Sequence, residues 1–187
     1  KAIEAGRVMI NGQVVELGAT VGDEDLVSFD GRYIGMGKDV EKIKPIIIAF
    51  NKPEGLVCTT SDNDGAMNVV DYIGMKERIY PVGRLDYDTS GALIMSNDGE
   101  FINLITHPKH KIKKTYVAKI NGKLEENHLR ILRNGVRIDN YKTAKAEVNI
   151  VKNKNKSGNT LVRLTIHEGK NRQVRRMFEA LGYEVMK

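Results

Sequence analysis

Apolar positions along the 187 residues fall into short runs with two different periods. Residues 5–15 alternate around Asn11-Gly12, a pair suited to a two-residue hairpin because both tolerate positive φ. Residues 20–31 add a short strand that ends at Asp30-Gly31. Periodicity is lost between Gly35 and Pro45, and residues 38–45 are assigned as a linker. Ile46–Phe50 is a continuous apolar run of strand length, and Asn51–Val57 turns into a further strand within Leu56–Thr60. Ile79–Val82 and Ala92–Met95 predict two more buried strands. Thr115–Ile120, Thr143–Val151 and Thr160–Ile166 alternate as strands do, so Tyr116, Ala118 and Ile120 share the apolar face of their strand.

The helical period appears three times. Phe101, Leu104 and Ile105 predict a short packed helix over Glu100–Thr106, ended by His107-Pro108. Leu124–Leu132 predicts a second, stopped at Asn134-Gly135. Val174, Met177, Phe178 and Leu181 mark the buried face of a third, which ends at Gly182. On that helix Arg172 and Arg176 fall opposite the apolar stripe, and Arg175 lies at its border. The sum is an α+β protein with a mixed, mostly antiparallel sheet and flanking helices.

Charge changes the picture more than composition does. The net charge is +6, yet residues 109–187 hold 20 of the 30 Lys and Arg against 7 of the 24 Asp and Glu. That half suits a polyanion, most simply RNA, beside a mildly acidic front half. No apolar run is long enough for a bilayer span and no secretory signal pattern opens the chain. The single cysteine, Cys58, cannot form an internal disulfide, which fits core packing in a reducing compartment and a cytoplasmic protein. The four histidines have no zinc spacing. Asp62-Asn63-Asp64-Gly65 lacks the rest of a calcium loop and reads as a surface turn. No metal is expected.

Candidate chemistry lies between the strands Ile79–Val82 and Ala92–Met95. The loop Gly83–Gly91 carries Arg84, Asp86, Asp88, Thr89 and Ser90, with glycines at both ends where the backbone turns. Spacing alone permits an Asp- and Ser-rich surface turn or a carboxylate held at fixed geometry. It does not choose between Asp86 and Asp88.

The wording Gly83-Arg84-Leu85-Asp86, Thr89-Ser90-Gly91, Asn97-Asp98-Gly99-Glu100 resembles the catalytic motif of the RsuA/RluB-type ribosomal RNA pseudouridine synthases. Lys113-Lys114-Thr115-Tyr116-Val117 and Glu168-Gly169-Lys170-Asn171-Arg172-Gln173-Val174-Arg175-Arg176-Met177 extend the resemblance in the family's order. It covers roughly residues 46–187. More weakly, residues 1–37 resemble the strand half of an S4 RNA-binding module. The resemblance implies the pseudouridine synthase fold, a monomer, ribosomal RNA as partner and no cofactor. It points to the large ribosomal subunit, with the small-subunit relative and a non-catalytic ribosome-assembly factor as alternatives. It assigns Asp86 as the reacting carboxylate, Tyr116 as the ring that stacks on the target base, and Arg175 as the ion-pair partner of Asp86. Its motifs imply RNA contacts from Arg84, Lys113, Lys114, Lys170, Asn171, Arg172, Gln173 and Arg176. Whether the carboxylate attacks or abstracts the 2′ proton stays open. Members of the class continue through another strand, which implies a catalytic domain cut short at Lys187.

Overall fold

Asn11 and Gly12, at φ +49° and +79°, close the hairpin between β1 (Val8–Ile10) and β2 (Gln13–Val14). The structure, a computed structural model, describes residues 1–39, 44–60, 65–152 and 158–187, and divides into two units, Lys1–Lys44 and Pro45–Lys187. In the first, β3 (Leu26–Phe29) and β4 (Arg32–Met36) turn at Asp30-Gly31 and complete an antiparallel sheet of order β2-β1-β3-β4. Asn11 ties the hairpins together, its Oδ1 accepting from Leu26 N at 2.9 Å and its Nδ2 donating to Asp25 at 2.8 Å. None of this unit's described residues is fully buried. Gly35 and Met36, expected without periodic structure, belong to β4, and Gly37–Asp39 form a 3-10 turn. Residues 40–43 of the expected linker lie outside the described residues, as do Asp62–Asp64 of the surface turn and residues 153–157.

In the second unit β5 (Ile47–Lys52) is followed by a short helix α1 (Val69–Ile73), then β6 (Tyr80–Val82) and β7 (Gly91–Ser96). These strands form an antiparallel sheet of order β5-β7-β6, in which Lys52 pairs with Gly91. Leu56, Val69, Ile79, Leu93 and Met95 are its buried core. Leu56–Thr60 makes only a single bridge, Val57 to Asn68, so the strand expected there does not form. Cys58 packs partly buried against this core, as expected, and Leu85 N approaches its Sγ at 3.4 Å. Helix α2 (Gly99–Thr106) forms where the spacing predicted it, but Leu104 is half exposed and no residue of the helix is fully buried. Phe101, Ile102 and Ile105, each partly buried, suffice to dock the helix beside the sheet without enclosing it.

The remaining elements are β8 (Lys114–Ile120), α3 (Glu126–Asn134), the hairpin β9 (Arg137–Ile138) and β10 (Tyr141–Lys142), β11 (Glu147–Lys152), β12 (Thr160–Ile166) and α4 (Gln173–Glu179). β11, β12 and β8 make a second antiparallel sheet in that order. The larger core, including Ala118, Ile120, Leu132, Leu164, Met177 and Phe178, lies between this sheet, α3 and α4. Val185 bridges to Ile120 along the β8 edge. Among the described residues no helix is long and apolar enough to cross a membrane.

Candidate active site

The Gly83–Gly91 loop is held at four successive carbonyls. Gly83 and Gly91 sit at φ +85° and +139°, which lets the chain leave β6 and enter β7 without side-chain strain. Between them the Asp86 carbonyl accepts from Thr89 N at 3.1 Å and that of Tyr87 from Gly55 N at 2.8 Å. The Asp88 carbonyl accepts from Arg175 Nη2 at 3.2 Å, and that of Thr89 from Lys52 Nζ at 2.8 Å. Four acceptors met by donors from the loop itself, the Lys52–Gly55 segment and Arg175 leave the loop little freedom, the condition for presenting a side chain at fixed geometry.

Lys52 is the residue that sequence reading missed. It is completely buried at the end of β5, and its ammonium also donates to the Pro53 carbonyl at 2.9 Å. Burial draws its pKa below the ordinary lysine range, opposed by the charges of Cys58, Asp86, Asp88 and Glu54. The legible signal was a lysine closing an apolar strand just before Pro53-Glu54-Gly55.

Asp86 opens onto a cleft of about 120 Å³, lined also by Arg84, Tyr116, Lys170, Arg172 and Arg175. Tyr116 projects from the face of β8 that carries buried Ala118 and Ile120, as the alternation predicted. Burial lifts its phenol above the usual tyrosine range, and the charge of Asp86 raises it further. Asp86 is half-buried and, among the described residues, takes part in no ion pair.

Arg175 meets Asp88 instead. Its Nη2 lies 3.0 Å from Asp88 Oδ2, and its Nη1 donates to the Val185 carbonyl at 2.9 Å. The expected Asp86–Arg175 ion pair is therefore replaced by an Asp88–Arg175 pair. Asp86 is turned into the cleft, which leaves the next acidic side chain of the loop, together with its own carbonyl, to receive the guanidinium. Arg172, in the left-handed region at φ +47°, also reaches Asp88 Oδ2, at 3.5 Å.

The other expected RNA contacts divide by what already holds them. Arg84, Asn171 and Arg172 are exposed. Lys113 pairs with Glu147 at 2.5 Å, and Lys114 extends its Nζ beside Gly169. The Lys170 ammonium lies 3.3 Å from the centre of the Tyr141 ring. Arg176 pairs with Asp139 on the β9–β10 turn and faces Tyr141. Gln173 is buried, donates to Glu168 at 2.6 Å and accepts from Lys170 N at 3.0 Å, so its side chain braces the loop before α4. Among the described residues no three His, Cys, Asp or Glu side chains group as a metal site.

The family model described as RNA pseudouridylate synthase matches residues 46–180. The chain is 45% identical over 187 residues to the ribosomal large subunit pseudouridine synthase B of Bacillus subtilis, covering 99% of this chain and 74% of that protein. It is 35% identical to the dual-specificity RNA pseudouridine synthase RluF of Escherichia coli, over 99% of this chain and 60% of that one. A crystal structure of a pseudouridylate synthase superposes with a TM-score of 0.69 at 31% identity, covering 99% of this chain and 76% of the other.

Proposed function

Because this chain belongs to the RNA pseudouridylate synthase family, we propose that it isomerises a specific uridine of large-subunit ribosomal RNA with Asp86 as the reacting carboxylate. In this isomerisation the N1–C1′ bond breaks, the uracil turns within the site, a C5–C1′ bond forms, and C5 gives up its proton while N1 gains one. The atoms of substrate and product are the same, so no group donor or electron acceptor enters the balance. One carboxylate suffices, either by attacking the nucleoside or by taking the 2′ proton.

The observation that carries the assignment is the division of labour between the two loop carboxylates. Asp86 lines the cleft opposite Tyr116, whereas Asp88 is turned to Arg172 and Arg175. A uridine in a folded RNA must leave its stack to reach Asp86, and the Tyr116 ring stacks on it there. Arg84, Lys170 and Arg172 on the cleft wall meet the flanking phosphates. Arg175 holds the Asp88 carbonyl and carboxylate and so positions the loop. Large-subunit RNA is favoured by the name of the 45% identical Bacillus subtilis protein. Residues 1–37 serve as an S4-like RNA-binding module, a reading supported by the two Asn-Gly and Asp-Gly hairpins locked through Asn11.

Unmodified large- and small-subunit ribosomal RNA transcripts, incubated with the protein and mapped for pseudouridine, test this. Product on the large-subunit transcript, lost in Asp86→Asn with RNA affinity within about twofold of wild type, is expected. Near-normal turnover by Asp86→Asn overturns the carboxylate, and product on the small-subunit transcript alone overturns the substrate.

A further inference from the structure

Two guanidiniums converge on one exposed carboxylate at the rim of the cleft. Arg175 Nη2 is 3.0 Å and Arg172 Nη2 3.5 Å from the same Asp88 Oδ2. The pairs differ in every other respect. Arg175 is 13% exposed and is anchored by two further bonds, to the carbonyls of Asp88 and Val185. Arg172 is 45% exposed and makes only the longer contact with this group. Its backbone is held in the left-handed region on the chain leading into α4, so its place at the rim is set by the fold rather than by Asp88.

A carboxylate oxygen approached by two guanidiniums offers them the negative charge and acceptor that a phosphate oxygen would offer. We propose that Asp88 holds the place of an RNA phosphate between Arg172 and Arg175: bound RNA takes Arg172 from it, and Asp88 keeps Arg175 as a positioning residue for the loop. This rests on the reading of the cleft as an RNA site. The weaker, wetter arm exchanges at little cost, because an exposed pair at 3.5 Å is worth little against water and salt. The drier arm stays, since Arg175 loses three contacts if it leaves. The protein is thereby spared an uncompensated pair of guanidiniums beside the cleft when no RNA is bound, and its affinity is set lower than its arginines alone would make it.

The two arms predict effects of opposite sign from one isosteric change. Asp88→Asn removes the competing charge while the number of phosphate contacts stays the same, so affinity for an unmodified large-subunit transcript rises about threefold at low salt. Turnover of bound RNA falls about tenfold, because Arg175 and the loop lose their ionic tie. Adding Arg172→Gln to Asp88→Asn cancels the gain in affinity and leaves the turnover loss in place. An affinity that is unchanged or lower in Asp88→Asn overturns the proposal, and so does a gain that survives Arg172→Gln. The binding arm needs no chemistry, so absence of product in the wild-type protein would overturn the catalytic reading while leaving this one to be decided by affinity. Thermal melting of both variants within about 3 °C of wild type is the expected check on folding, since Asp88 and Arg172 lie at the surface.

Discussion

Arg175 Nη2 lies 3.0 Å from the carboxylate of Asp88 and 3.2 Å from its carbonyl oxygen, across 87 positions of chain. The contact joins the start of α4 to the loop between β6 and β7, and so fixes one wall of the cleft to the other. A guanidinium is suited to this because its Nη2 meets both the carboxylate and the carbonyl of Asp88 while Nη1, the other prong of the planar fork, holds the Val185 carbonyl.

Arg175→Met removes that fork, and turnover is expected to fall about 100-fold, the scale of a roughly 1 Å misplacement of a reacting group. Affinity for RNA should stay within about threefold. Arg175→Lys should recover part of the turnover, since the charge is kept and the fork is lost. Single-turnover rates together with filter-binding affinities measure this split. Loss of affinity alone in Arg175→Met would make the residue a phosphate contact.

Tyr116 contributes a ring and a hydroxyl, and two variants separate them. Tyr116→Ala should weaken productive binding by about 1–3 kcal/mol, the usual worth of a base on an aromatic platform. Tyr116→Phe should keep that share. Because burial and the Asp86 charge raise its pKa, the phenol stays protonated through neutral and mildly alkaline pH. No loss of activity up to about pH 9.5 should trace to its ionisation, which matching pH profiles of wild type and Tyr116→Phe would demonstrate.

Lys52 lends itself to a pH test of sign. Its pKa is lowered in the folded protein, so between that value and the model lysine value of 10.5 the unfolded chain binds more protons than the folded one. Stability from this group therefore rises with pH across that window. Urea unfolding of wild type and Lys52→Met at pH 7 and pH 10 should show the difference moving in favour of wild type at the higher pH. Turnover of Lys52→Met should fall at least about tenfold at either pH, because the Thr89 carbonyl loses its donor. A difference in stability independent of pH would show that Lys52 is not held charged in a dry place.

The arginines flanking Arg175 should behave differently from each other. Arg172 is exposed at the cleft, so Arg172→Gln should flatten the salt dependence of RNA binding by about 0.7, one phosphate. Arg176 is engaged with Asp139 and Tyr141, so Arg176→Gln should leave the salt slope unchanged and lower the melting temperature instead. Salt titrations from about 50 to 200 mM with both variants compare the two.

Local pattern carried the order and type of most elements. Alternation placed Tyr116 on the apolar face of its strand, and the helical stripe put Met177 and Phe178 in the core, because a side chain's direction within an element depends only on that element's period. The turn that carries Asp86 was legible for the same reason, because glycines that permit a turn act within a few residues, whereas the choice of Asp86 over Asp88 came from the motif's resemblance to the pseudouridine synthases. The expected pairing of Asp86 with Arg175 was not legible in this way. Which of two carboxylates two residues apart receives a guanidinium from 87 positions away depends on the loop path and the side chains lining the cleft. Lys52 shows the same limit, since its acceptor at Thr89, 37 positions away, comes within reach only once β5 and β7 are in register. The exposed Leu104 and the bound Arg176 complete the lesson. Periodicity states which side of a helix is apolar, and only the neighbours brought there by long-range packing state whether that side is covered or that charge is already paired.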